Sequence, residues 1–237
     1  MRTLEELQRV INYSFKNLTR LREALTHRSY AFEKKEDIQD NQRLEFFGDA
    51  VLEMVASEYL FERYDQSAEG ELTKMRSAMT RGEALFDLAQ SFHLDEYMFL
   101  GRGERQLQGK NQETRVIDAF EALLAAMYLD GGIGPVKEFY LSLAKKCWSS
   151  PYELMLNQNP KGNLQELTQK YYSARPEYSL LSVNGQEHDP EFEVEVKLSG
   201  DQIGKGIAGS RRKAEEEAAR KGIEYLVAKR NDLGKIS

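Results

Sequence analysis

A chain of 237 residues with a net charge of −6 is long enough for two domains, one with a sizeable hydrophobic core. Its single cysteine, Cys147, excludes an internal disulfide, and with only three scattered histidines, His27, His93 and His188, it leaves no zinc site. No stretch approaches the ~20 apolar residues of a membrane span, and the start MRTLEELQRVINYSF spreads its charge instead of leading with a basic end. The expectation is an unprocessed cytoplasmic protein without membrane partner, redox chemistry or small-molecule cofactor. The acidity is uneven: residues 1–160 hold 20 Lys and Arg against 26 Asp and Glu, while 161–230 hold 12 of each. An acidic average can therefore conceal a phosphate-binding patch.

In chain order, apolar residues recur at helical spacing through Leu4/Leu7/Ile11, Leu18/Leu21/Leu25, Leu44/Phe47/Val51/Val55, Leu85/Leu88 and Ile117/Phe120/Leu124/Met127. Residues 1–150 read as one all-α domain, with loops expected at 34–40, 65–70, 101–111 and 130–135 where Gly, Pro or clustered charge intervenes. Pro151 and Pro160 bracket a polar stretch taken as a linker over 151–160. Beyond it, in a domain over 161–231, the period changes. A helix near 163–172 is followed by a strand in which Phe192, Val194, Val196 and Leu198 alternate with Glu191, Glu193, Glu195 and Lys197. Segments 178–183 and 201–207 read as its neighbours, and 210–229 as a last helix with Ser210 as N-cap. The order is α-β-β-β-α, a small α+β domain.

Two of the helices carry acids where apolar surface is expected: Glu45 and Asp49 in RLEFFGDAVLEMVA, Asp118 and Glu121 in RVIDAFEALLAAMYL. Spacings of four and three place each pair on one helix face. A solvated face is the ordinary explanation for such pairs, but the flanking residues offer little other polar surface, and desolvated carboxylates usually hold a cation or partner. Carboxylates converging across a helix bundle are a known way to hold metal. All-oxygen ligation favours Mg²⁺, with Mn²⁺ able to substitute. Such an ion most often works on phosphate esters, which suggests a polyphosphate or nucleic-acid substrate.

These residues also carry a resemblance. NQRLEFFGDAVLE is similar to the signature of bacterial ribonuclease III, usually written NERLEFLGD, and ALTHRSYAFE, GRGE and DAFEALLAAMYLDGG match further blocks in the same order. The resemblance implies an Mg²⁺-dependent endoribonuclease that cleaves double-stranded RNA by metal-activated water, leaving 5′-phosphate and 3′-hydroxyl ends. Its substrates would be ribosomal RNA precursors and other structured transcripts. It implies Glu45, Asp49, Asp118 and Glu121 as the catalytic and metal cluster, and Glu69 as an acid near the cleavage site in contact with RNA. Gln42 stands where the family commonly has glutamate in that same neighbourhood. It also implies a homodimer with Phe46 in a pocket of the partner. Ordinary core packing of Phe46 is the alternative, although Phe46 and Phe47, being consecutive, point to different helix faces. The glycines of GRGERQLQGK lack GxGxxG and GK[ST] and are taken as loop formers, with Arg102, Arg105 and Lys110 as candidate phosphate contacts.

The blocks NLQELTQK, HDPEFEVEV and GKGIAGSRRKAEEEAA resemble a double-stranded-RNA-binding domain. Ser210, Arg211, Arg212 and Lys213 at a helix start, together with Lys161, suit phosphates across the RNA major groove. Gln165 and Glu166 suit 2′-hydroxyls, and His188 a second minor groove. Gly162, Gln186 and the run Glu215, Glu216, Glu217 depart from the usual pattern. A non-cleaving duplex-RNA binder would gain nothing from the four acids, and a hydrolase of small phosphorylated molecules would leave the C-terminal module unexplained.

Overall fold

The computed structural model describes residues 2–34, 38–106, 110–186 and 189–229. It divides into two units, Met1–Pro151 and Tyr152–Ser237. The first is helical: α1 (Leu4–Val10), α2 (Leu18–Ala24), α3 (Arg28–Lys34), α4 (Gln42–Arg63), α5 (Glu69–Thr80), α6 (Gly82–Gln90), α7 (Lys110–Gly131) and α8 (Ile133–Cys147), with short 3₁₀ turns at Leu94–Tyr97 and Glu104–Gln106. Thr3 and Glu6 form a capping box that starts α1.

The core of this unit is α7. Val116, Ala119, Phe120 and the whole run from Ala122 to Met127 have no exposed surface, as its nearly unbroken apolar sequence demands. The Phe120 ring meets Phe92 and Phe139 at centroid distances of 6.3 and 6.2 Å. At the far end Asp130 accepts from the Tyr13 hydroxyl at 2.7 Å and from the backbone N–H of Lys16 and Asn17 at 2.9 and 3.0 Å, tying α7 to the segment before α2. The loop expected at 130–135 shrinks to Gly132, whose φ of +80° separates α7 from α8. In contrast to α7, α4 is one-sided. Leu44, Gly48, Val51, Leu52, Val55, Ala56 and Leu60 are buried, while Phe46, Met54 and Phe61 project from its other face.

In the second unit, α9 (Pro151–Gln158) and α10 (Pro160–Tyr172) precede β1 (Glu177–Gln186), β2 (Asp189–Leu198), β3 (Asp201–Ala208) and α11 (Arg211–Lys229). The stretch read as a linker thus carries a helix. Pro151 fits a first turn, where no amide hydrogen bond is lost. The last carbonyls of α9 are satisfied by the buried Asn163, whose Nδ2 donates to Met155 O at 2.9 Å and Leu156 O at 3.1 Å. Asn159 then caps α10 by accepting from the Gly162 N–H at 3.2 Å.

The sheet is antiparallel in the order β1-β2-β3. Val194, Val196 and Leu198 face Ala214, Ala218, Ile223 and Leu226 of α11 and Leu164 and Leu167 of α10, all buried. Gly204 and Gly206 let β3 run against the α11 backbone, since a Cβ at either position would overlap the carbonyls of Ala218 and Ala214. One residue departs from the alternation: Glu195 is buried on the opposite face. It is flanked in register by Ser179 and Lys205 and paired with Lys197 Nζ at 2.6 Å.

Candidate active site and nucleic-acid interface

The carboxylate site exists because two helix backbones touch. A Cβ on Gly48 would overlap the Glu121 carbonyl, so α4 and α7 approach at a distance only glycine permits. Glu45 lies one turn before Gly48 on α4, and Asp118 one turn before Glu121 on α7. As a result, ligand oxygens of Glu45, Asp118 and Glu121 all lie within 4.8 Å of one another. Asp49 stands apart from this trio. It is exposed, one helical turn beyond Glu45, and reaches Glu121 through its charge.

Burial and mutual repulsion make these acids resist ionisation. Desolvation first, then Glu45, pushes Asp118 up to about 6. Desolvation, followed by Asp49, Asp118 and Glu45, pushes Glu121 up to about 8. Glu45 is raised by desolvation and by Asp40. Three partly buried oxygen donors whose charges repel one another fit a hard divalent ion, which would supply positive charge among them.

Glu45 and Asp118 open into a cavity of about 360 Å³ that His27, Asn41, Gln42 and Glu104 also line. Backbone bonds from distant segments assemble it. The Asn41 N–H donates to Thr26 O at 2.9 Å and the His27 N–H to Phe99 O at 3.0 Å. On α3, Ser29 Oγ accepts from the Gly101 N–H at 3.0 Å and Glu33 Oε1 from the Arg102 N–H at 2.8 Å. Burial lowers the His27 pKa, against the pull of Glu104, and its Nδ1 lies 2.8 Å from Ser29 Oγ. Nothing in the periodic pattern singled out His27, Asn41 or Glu104. Only the resembling blocks hinted at them: His27 lies in ALTHRSYAFE, Asn41 opens NQRLEFFGDAVLE and Glu104 closes GRGE.

Gln42, at the first position of α4, belongs to this cavity. Glu69 does not: at the exposed start of α5 it accepts from Thr73 Oγ1 at 3.1 Å and lines a second cavity with Met54, Phe61, Leu72 and Arg76. The neighbouring Phe46 is 81% exposed, whereas Phe47 packs edge-on against Tyr128 at 5.4 Å. The two consecutive rings do face different surroundings. Arg102 and Arg105 are exposed, and Arg105 Nε donates to Leu100 O at 3.1 Å. The side chain of Lys110 lies outside the described residues.

On the second unit, Ser210 Oγ accepts from the Lys213 N–H at 3.3 Å, which caps α11. Arg211, Arg212 and Lys213 are exposed at that helix start, and Gln165 and Glu166 are exposed on α10. Glu215 binds both Lys161 Nζ, at 2.6 Å, and Arg211 Nε, at 3.1 Å. Arg212 pairs with Glu216 at 3.0 Å. His188 lies outside the described residues.

Comparison with known proteins agrees with this division. Residues 17–146 match a Ribonuclease-III-like family model and residues 160–226 a Double-stranded RNA binding motif. The chain is 40% identical over 220 residues to Ribonuclease 3 of Pseudothermotoga lettingae, covering 91% of this chain and 92% of that one. It is 39% identical to Ribonuclease 3 of Oleidesulfovibrio alaskensis, covering 94% and 97%. The nuclease domain of ribonuclease III from Campylobacter jejuni, described for structural flexibility in a region involved in dimer formation, superposes with a TM-score of 0.57. That match has 34% identity and covers 62% of this chain and all of that domain. Among the described residues no helix is long and apolar enough to cross a membrane. With a helical unit bearing convergent acids, a capped basic helix on a small sheet, and relatives matched along nearly its whole length, this chain belongs to the ribonuclease III family.

Proposed function

We propose that the chain is an endoribonuclease specific for double-stranded RNA, acting as a homodimer with Mg²⁺ and accepting Mn²⁺. The observation that carries this reading is the convergence of Glu45, Asp118 and Glu121 from two helices, the first two opening into a cavity, in a chain whose other unit matches a duplex-RNA-binding motif. Glu121, Asp118 and Glu45 hold the ion, and Asp49 adds negative charge beside Glu121. When bound, the ion supplies a Lewis acid for the phosphodiester and lowers the pKa of water. Hydrolysis leaves 5′-phosphate and 3′-hydroxyl ends, and the expected substrates are ribosomal RNA precursors and other structured transcripts in the cytoplasm. Gln42 and Glu69 border the RNA near the cut. Its amide makes Gln42 a donor as well as an acceptor, where a glutamate would only accept.

The C-terminal unit holds the duplex through Lys161, Ser210, Arg211, Arg212 and Lys213 at phosphates, with Gln165, Glu166 and His188 at the minor grooves. The dimer forms on the outer face of α4, where Phe46, Met54 and Phe61 present an apolar stripe, with Phe46 entering a pocket of the partner. A two-fold axis there gives two antiparallel sites, one for each strand. Incubation of long duplex RNA with Mg²⁺ tests the reading. The parent should cut, and Glu121→Gln should bind without cutting. Binding by the parent with no cleavage in Mg²⁺ or Mn²⁺ would replace it with a non-cleaving binder.

A further inference from the structure

The cations at the start of α11 are held in two different ways. Arg212 and Glu216 form a simple i,i+4 pair on one helix, with the arginine side chain 87% exposed. Such a pair orders little and lowers the net positive charge offered to a phosphate. Glu215 does something else. Its carboxylate, with a side chain 14% exposed, joins Lys161 of α10 to Arg211 of α11, one oxygen to each. The Lys161 ammonium also sits 4.9 Å from the centre of the Tyr178 ring, on β1. Burial raises the Glu215 pKa, yet the hydrogen bonds from Lys161 and Arg211 outweigh it and hold it below the usual carboxylate value. Three elements thus converge on one lysine head group, and Glu215 sets its distance from Arg211.

We propose that Glu215 is a positioning residue for duplex-RNA binding: it fixes Lys161 and Arg211, from separate helices, as one preformed phosphate-binding pair. Glu216 only dilutes the charge of Arg212. Two long, rotamer-rich cations lose conformational freedom when they grip a backbone, and a carboxylate that has already ordered them removes part of that cost. The inference rests on the reading that this unit grips RNA phosphates through these cations.

The test measures duplex-RNA affinity across a salt series with full-length protein in a Glu121→Gln background, so that the RNA stays intact. Counting charge alone, loss of either glutamate should tighten binding equally. The positioning role predicts opposite signs: Glu215→Gln weakens binding about fivefold while Glu216→Gln tightens it about twofold. Glu215→Asp keeps the charge but withdraws the carboxylate, and should weaken binding as well. It also decides the matter where the glutamine variant loses its fold. In a Lys161→Met background, Glu215→Gln should add little, because its effect passes through that lysine. Equal tightening by both glutamine variants, an unchanged affinity in Glu215→Asp, or a full fivefold loss without Lys161 would each overturn the proposal. Arg212→Gln separates the two levels. If it leaves affinity and salt slope unchanged, the phosphate-binding reading falls and this inference with it. If Arg212→Gln weakens binding but Glu215→Gln does not, only the role of Glu215 is lost.

Discussion

The two charged regions of this molecule handle like charge in opposite ways. At the junction of α4 and α7, three carboxylates are pressed together and partly desolvated, and the neighbouring charges that act on Glu121, those of Asp49, Asp118 and Glu45, are negative too. At the start of α11, Arg211 and Arg212 stand in solvent with glutamates one turn away. The first arrangement stores repulsion that an external cation relieves. The second offers cations partly neutralised by those glutamates, with Glu215 also tying Arg211 to Lys161. In the proposed function the repelling site would hold the metal and the relaxed one would give a salt-sensitive grip on RNA.

The sharpest way to break the contrast is Gly48→Ala. Its Cβ would overlap the Glu121 carbonyl, forcing α4 and α7 apart. Overpacking of this kind costs about 1–3 kcal/mol, so the unfolding midpoint should fall and cleavage should be lost, while the α11 surface keeps its hydrogen bonds. Removing charge without moving backbone is next. Glu45→Gln or Asp118→Asn should slow Mg²⁺-dependent cleavage by ~100-fold or more, since even residues behind metal ligands are worth 10–100-fold. The same change should raise the metal-free unfolding midpoint, because a repelling charge is gone. A variant that loses both activity and stability would mean the acids are ordinary structural partners.

Phe46→Ala addresses the outer face of α4. In a two-fold dimer on this face the substitution removes both Phe46 anchors, so a cost of about 1 kcal/mol each raises the dimer dissociation constant roughly 30-fold. Sedimentation over a concentration series would register the change, and an unaltered dimer would place the interface elsewhere.

The smallest effect is on pH. The folded pKa of Asp118 is raised from 3.8 to about 6, and that of Glu121 from 4.5 to about 8. The folded state therefore holds protons that the unfolded state has already released. Stability of the metal-free protein should be greatest near pH 4, decline as the pH rises toward 8, and level off above it. Unfolding midpoints across that range give the slope, and Glu121→Gln should flatten its upper half.

Much of this was legible in the residues because it is local. The acid pairs on α4 and α7 lie at helical spacing, β2 alternates with period two, and Ser210 stands one residue before α11, where a cap belongs. What escaped is long-range or depends on a single partner. The stretch over 151–160 reads as polar linker, and only the distant Asn163 side chain satisfies its last carbonyls as helix α9. His27 and Asn41 reach the cavity through backbone bonds to Phe99 and Thr26 that no periodicity encodes. Glu69 sits beside Gly70 in a segment resembling a loop, and whether it neighbours the acids depends on where α5 lies, which places it in a different cavity. Glu215 reads as one of three consecutive glutamates, and its distinction from Glu216 appears only when α10 packs against α11.

The most direct measurement is calorimetric titration of Mg²⁺ into the RNA-free protein at pH 6 and pH 8, for the parent and Glu121→Gln. With acids titrating near 6 and 8, the parent should bind more tightly at pH 8 and release protons on binding, most of all at pH 6. Glu121→Gln should bind at least about tenfold more weakly and release fewer. Equal affinity at both pH values, matched by an undiminished affinity in the variant, would contradict the claim that these convergent carboxylates are the metal site.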